Sequence, residues 1–460
     1  MTATERRAFV GLAPALAAML GAAAIAGAAD PGPTANGGSP SAVDSVLLIT
    51  IDTLRADHVG AYGGPVPTPA LDHLASQGVL VESAYTPTPS TGPAHASLLT
   101  GLHVWNHGAL KNAVSLDPRI PTLADLLSDR GLDTAAFVSS YILHRRFGFH
   151  QGFATYSFEP SQPYHWRGRE RERFWARGQQ TTHAANRWLL EHVDRPFFLW
   201  VHYFDPHWPY RPPVGFAVSP RDPVDLAGKS LPRDQSVRNA QHLQSLNRAY
   251  RGEVAYVDAQ VGTLLDRVKL LGLDDRCAVV LTADHGEGLG DHGVMEHGLH
   301  LFEELVQVPL ILRAPGLAPG RRVGGPVQLE DLAPTILALL DVDPPESLDG
   351  LDLLPWLRGA TDAPPRDAVV GARATNKGDA RFFYVRNGSS KWIGEAGSPG
   401  LRFDLARDPG ERDPQRGVAM PQRLEPAVAA SQGGGAGAAS RADPDPKVRR
   451  ALEALGYAEP

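Results

Sequence analysis

Short apolar, β-branched runs alternate along the chain with stretches of helical spacing. Val46 to Ile51, Phe197 to Phe204, Cys277 to Thr282 and Val308 to Leu312 are nearly continuous apolar runs. That is the pattern of strands buried on both faces of a parallel sheet, and Thr134 to Val138 reads as a further short strand. Between them, Leu71 to Gln77 and Thr122 to Arg130 read as helices, the second stopping at Gly131. Tyr250, Val254, Val257, Val261, Leu264, Leu265 and Val268 share one face of a longer helix. Gln328 to Leu340 is a helix with Pro334 in its first turn. Beyond Asp362 the runs shorten. Ala368 to Val370, Phe382 to Arg386 and Lys391 to Ile393, separated by turn signals, predict a small antiparallel sheet. Ser431 to Pro446 is low in complexity, and Val448 to Leu455 suits a terminal helix.

The N-terminus has a different pattern. Arg6 and Arg7 precede an alanine-rich apolar run from Ala8 to Ala29, and Ala26-Gly27-Ala28 offers small residues for cleavage. We read an export signal with a periplasmic or extracellular destination; Glu5-Arg6-Arg7-Ala8-Phe9-Val10 resembles a twin-arginine signal, and an uncleaved membrane anchor is the alternative. Cleavage would leave no stable membrane insertion. Asp30 to Ser41, rich in Pro, Gly and Ser, is a linker.

Composition narrows the function classes. With 44 Lys+Arg against 51 Asp+Glu the chain is mildly acidic, so nothing global favours nucleic acid or anionic membrane. Tyr164 to Arg177 gathers arginines around Trp166 and Trp175, but Glu170 and Glu172 interrupt it, which predicts a solvated surface segment. The single cysteine, Cys277, lies within a strand run and reads as a buried thiol.

Candidate chemistry sits at the ends of these strands. Asp52 closes the first run, Asp205-Pro206-His207 follows the run from Phe197, and Asp284-His285-Gly286-Glu287 opens a loop dense in Asp, His and Gly. Open α/β sheets gather their ligands at such carboxyl ends. Thr91, ahead of Gly92 and Pro93, stands where a helix begins, a place with a positive backbone field and free N–H donors. Asp52, Asp284 and His285, joined by Thr91, would supply oxygen and nitrogen ligands for one divalent cation, with calcium, zinc and manganese all open. His207 and His297 are candidates for a leaving-group proton, for the substrate anion, or for a second metal with Asp205. Local capping explains the Asp-Pro-His turn equally well.

Taken in order, these segments resemble the sulfatase family of the alkaline phosphatase superfamily. Leu48-Ile49-Thr50-Ile51-Asp52 is similar to its first metal strand, and Ala96-Ser97-Leu98-Leu99-Thr100-Gly101 to the helix after its nucleophile. Thr282-Ala283-Asp284-His285-Gly286-Glu287 is similar to its second metal loop, and Phe403-Asp404-Leu405-Ala406-Arg407-Asp408-Pro409-Gly410-Glu411 to its C-terminal signature. The resemblance implies an α/β fold, a doubly wound, mostly parallel sheet flanked by helices, with a smaller C-terminal α+β domain. The chain then divides into a signal peptide (1–29), a linker (30–44), a catalytic domain (45–360), a small antiparallel-sheet domain (361–415) and a tail (416–460).

This sequence departs from the family's pattern at three places. The family's Cys or Ser, oxidised to formylglycine in a C/S-x-P-x-R motif, is replaced in Thr91-Gly92-Pro93-Ala94-His95, and threonine cannot give that aldehyde. Thr53 stands where a second Asp is usual, and no Lys-x-His element occurs near Ser139 and Ser140. An unmodified Thr with a downstream Asn resembles the nucleotide phosphodiesterase branch, which makes Asn112 a candidate oxyanion donor. Thr91, His95, Asn112, His207 and His297 are therefore the expected catalytic set. The expected activity is metal-dependent hydrolysis of a phosphate mono- or diester, in a small molecule, glycan or lipid, through a covalent Thr intermediate. Sulfate-ester hydrolysis, transfer to another hydroxyl and a non-catalytic binding role are the alternatives.

Overall fold

The computed structural model of the chain describes residues 43–166, 169–216, 240–374, 380–432 and 445–454. The expected signal peptide, nearly all of the expected linker, the larger part of the loop after Tyr210 and much of the tail fall outside those residues. No helix among the described residues is long and apolar enough to cross a membrane.

Eight strands form the main sheet: β1 (Ser45–Ile51), β2 (Val79–Tyr85), β3 (Asp133–Val138), β4 (Thr155–Ser157), β5 (Phe197–Tyr203), β6 (Cys277–Ala283), β7 (Gln307–Arg313) and β8 (Arg321–Gln328). Their order is β8-β2-β7-β6-β1-β5-β3-β4. Only β7 runs against its two neighbours; the other pairings are parallel. Every residue of β1, β5 and β6 is buried, as continuous apolar runs at the centre of a helix-covered sheet require. The helix predicted from its Val and Leu spacing spans Ala240–Leu270, with Tyr250, Val254, Val257, Val261, Leu264 and Val268 fully buried. Gln328 to Leu340 resolves into a tight turn, Leu329–Asp331, and a helix, Leu332–Leu339.

One surface expectation is overturned. Tyr164–Trp166 and Arg169–Arg171 form a small hairpin, but Phe174, Trp175 and Ala176 are buried. Trp175 stacks on Phe204 with ring centroids 5.5 Å apart. Arg177 turns inward to Asp205 at 2.7 Å and Glu253 at 3.2 Å, so its charge is paired inside the fold.

A five-stranded antiparallel sheet follows: β9 (Ala368–Ala374), β10 (Ala380–Asn387), β11 (Ser390–Glu395), β12 (Gly400–Asp404) and β13 (Gln415–Val418), in chain order. It docks on the segment that leads to Thr91. Tyr384 donates its O–H to the Thr86 carbonyl at 2.6 Å, and the Ala372 N–H bonds the Pro87 carbonyl at 2.8 Å. Gly371 permits this approach, because a Cβ there would lie 2.6 Å from the Pro87 oxygen. Fully buried Lys391 completes the seam, its ammonium 2.9 Å from Glu303 and 3.0 Å from Glu411.

Candidate active site

Strand periodicity brings the site together. In the parallel register Thr50 on β1 pairs with His202 on β5 and Thr282 on β6, so the three side chains share a face of the sheet. Asp52 and Asp284 come two residues after Thr50 and Thr282, just beyond the strand ends. The helix Thr91–Thr100 covers the same face, fixed by His95, whose ring lies against Thr50 Oγ1 at 3.0 Å.

Asp52, Asp284 and His285 meet as a fully buried group whose ligand atoms all lie within 4.8 Å of one another. Asp284 Oδ1 accepts the N–H groups of Thr53 at 3.1 Å and His285 at 2.8 Å. Asp284 Oδ2 and both oxygens of Asp52 are buried with no hydrogen-bond partner among the described residues. Burial raises both carboxyls above their ordinary range, and Asp284 and Glu287 add to the rise at Asp52. His285 Nδ1 donates to the Gly286 carbonyl at 2.9 Å, which leaves Nε2 as the lone-pair nitrogen facing the two carboxylates at 3.5 and 3.9 Å. Burial holds this imidazole well below its usual pKa, so it brings no positive charge. Orphaned anionic oxygens beside a neutral imidazole are a donor set that suits a divalent cation. Thr53 Oγ1, buried without a partner, adds to that fit.

Thr91 is the first residue of its helix, after Ser90, and its Oγ1 lies 3.4 Å from His285 Nε2. The structure corrects the picture of free N–H donors there. The Gly92 N–H is taken by Asn112 Oδ1 at 2.8 Å, and Pro93 has none. Asn112 thus sits against the turn at Thr91, and its amide N–H groups are the donors left on that side chain. His95 has both nitrogens engaged: Nδ1 donates to the Thr91 carbonyl at 2.8 Å, and Nε2 accepts from Thr50 Oγ1, which accepts from Trp200 Nε1 at 2.9 Å. It therefore seats the helix rather than presenting a nitrogen to a substrate.

The remaining candidates separate. Asp205 spends one oxygen on Arg177 and the other on the Gly178 N–H at 2.9 Å, opening the helix Gly178–Glu191. Among the described residues it belongs to no metal-compatible group, so local capping accounts for it and the second-metal expectation loses its carboxylate. His207 donates Nδ1–H to the Trp208 carbonyl at 2.5 Å and stacks on Phe204. Its ring stands edge-on to His297 at 5.0 Å, and His297 lies 4.3 Å from His285. His297 Nδ1 faces Glu287 Oε1 at 3.0 Å; burial lowers the His297 pKa to about 4 and raises that of Glu287 to about 8.

Sequence reasoning passed over Glu287 as a separate residue and His202 altogether. His202 is a polar residue inside a strand otherwise apolar and buried on both faces, and that mismatch was the available signal. Its Nε2 lies 3.7 Å from Asp52 Oδ2.

The chain is similar to known proteins. The sulfatase family profile matches residues 44–342, well over half of the chain. An arylsulfatase of Clostridium perfringens is 25% identical over 432 residues, covering 80% of this chain and 89% of its own. The multifunctional alkaline phosphatase superfamily protein PehA of Trinickia caryophylli is 25% identical over 466 residues, with 80% and 90% covered. Among solved structures, the phosphonate monoester hydrolase of Agrobacterium radiobacter superposes with a TM-score of 0.68 at 25% identity, covering 85% of this chain and 94% of that one. With the family profile spanning most of the chain, the chain belongs to the sulfatase family.

Proposed function

We propose that this sulfatase-family hydrolase cleaves phosphate esters, mono- or diesters, with Thr91 as the nucleophile. The observation that carries the reading is an unmodified threonine hydroxyl 3.4 Å from His285 Nε2, beside the unpartnered oxygens of Asp52 and Asp284. Those three residues and Thr91 would hold the cation. When bound, it supplies positive charge that lowers the pKa of the Thr91 hydroxyl and offsets charge on the ester oxygens.

Thr91 Oγ1 gives its proton to water and attacks phosphorus, and the bond to the departing alkoxide or aryloxide breaks. The leaving oxygen takes a proton from water, because the pKa of about 4 leaves the buried His297 imidazole neutral. Thr91 then carries the phosphoryl group, and an external water must displace it, because threonine has no route to an aldehyde. His207 bears its proton on Nδ1, so its Nε2 is the nitrogen able to accept one from that water. Asn112, anchored through its carbonyl oxygen to Gly92, turns its amide N–H groups to the phosphoryl oxygens. Export by a twin-arginine signal, as the N-terminal sequence indicates, would place this activity outside the cytoplasm.

Sulfate-ester hydrolysis is the second reading, favoured by the arylsulfatase among the relatives. A panel of matched aryl phosphate monoesters, diesters and sulfates, each with calcium, zinc and manganese, separates the two. Phosphate esters should turn over faster with at least one ion, since a phosphoryl group rewards concentrated positive charge. Faster turnover of the aryl sulfate with every ion would decide for the second reading.

A further inference from the structure

His202 has no place in the reaction just described, yet it is buried completely and lies at the centre of the site. Its ring stands edge-on to His95 with centroids 5.0 Å apart and to Trp200 at 6.4 Å, so its orientation is fixed by packing. The Ser139 N–H points at Nδ1 from 3.3 Å, and a backbone N–H can only donate. Nδ1 is therefore the acceptor nitrogen, and Nε2 carries the hydrogen. That N–H has no hydrogen-bond partner among the described residues, and the acceptor it faces is Asp52 Oδ2 at 3.7 Å, itself without one.

A protonated Nε2 has no lone pair to offer a cation, although His202 falls with His95 and Asp284 in a cluster compact enough for one. His95 is excluded from that cluster on the same ground, since Nδ1 and Nε2 are both engaged. We propose that His202 is a positioning residue of the metal centre, whose Nε2–H orients Asp52 through Oδ2 while Asp52 Oδ1 ligates the ion. Thr53 in place of a second carboxylate leaves Asp52 and Asp284 as the acidic ligands, so a partner that fixes Asp52 weighs more heavily here. Imidazole N–H groups and carboxylates that steady a ligand recur around bound metals, and losing one costs about 10–100-fold in affinity.

The inference rests on the metal-centre reading, and the test keeps the two apart. Metal-free full-length protein is titrated calorimetrically with Zn²⁺, Mn²⁺ and Ca²⁺ in turn, as wild type, His202→Phe and His202→Gln. Phe keeps the ring and removes the donor; Gln places an N–H near the position of Nε2. We expect His202→Phe to bind the wild type's preferred ion about 10–100-fold more weakly, and His202→Gln to recover most of the loss. Equal affinities for wild type and His202→Phe, or no recovery with Gln, overturn the positioning role alone. A wild type that binds none of the ions overturns the metal centre and this inference with it. Ring nitrogen-15 spectra of the wild type decide the matter even if His202→Phe does not fold. Hydrogen on Nε2 in the ion-bound protein supports the role, and hydrogen on Nδ1 makes His202 a direct ligand and refutes it.

Discussion

Threonine 91 and the acids beside it hold opposite parts of one problem: a weak nucleophile, and buried negative charge with nothing to neutralise it. A cation between them answers both, which ties metal retention to turnover at a single carboxylate. Asp284→Ala should lose the ion and the activity together, and metal addition should no longer raise the melting temperature. In the metal-free protein the sign reverses. Burial raises the Asp284 pKa, so its contribution to stability is present at low pH and is lost as pH rises above the ordinary carboxylate range. At neutral pH, metal-free Asp284→Ala would shed that penalty but leave the Thr53 and His285 N–H groups without their acceptor. Full metal occupancy in that variant, measured by elemental analysis, would remove Asp284 from the ligand set. Residues of this kind were legible because Asp52 and Asp284 stand at the ends of unmistakable strand runs. His202 was not, since a lone histidine in a strand is far more often packed than functional. Asp205 looked the same as Asp52 in sequence, but a guanidinium 28 residues earlier in the chain occupies it.

At the level of elements, the segment before Thr91 is held by the small sheet as well as by its own helix. Tyr384, Ala372 and Gly371 grip Thr86 and Pro87, while Lys391 bridges Glu303 and Glu411 behind them. Lys391→Met would leave two carboxylates buried together, at a cost of about 3–5 kcal/mol. Chemical denaturation should show a loss of that size, and wild-type stability in the variant would mean the seam is more hydrated than described. The motif from Phe403 to Glu411 was recognisable in sequence, whereas its ammonium partner on β11 was not, because pairing across sheets leaves no periodic trace. Several strands also escaped sequence reading, β2 and β8 among them. β2, Val-Leu-Val-Glu-Ser-Ala-Tyr, alternates only in part, with Glu82 exposed and Ser83 half-buried between buried runs. β8 carries Gly324, Gly325 and Pro326, residues that argue against a strand except at a sheet edge, which is where it lies.

For the molecule as a whole, eight strands, a covering helix and a loop converge on one face to build an anion-handling site in a chain of formal net charge −7. The attraction for a phosphate or sulfate ester would therefore be local, set by a bound cation and by the Asn112 amide N–H groups beside Thr91, and not by the overall field. In the proposed mechanism Thr91 becomes covalently phosphorylated during turnover. Rapid acid quench of metal-loaded enzyme with an aryl phosphate ester, followed by peptide mapping, tests it directly. We expect a phosphoryl-containing adduct on Thr91 that decays at the rate of turnover. The same adduct should form on Thr91→Ser, and Thr91→Ala should lose activity by something on the order of 10⁴-fold. An unmodified Thr91 throughout steady-state turnover, or undiminished hydrolysis by Thr91→Ala, would contradict the account.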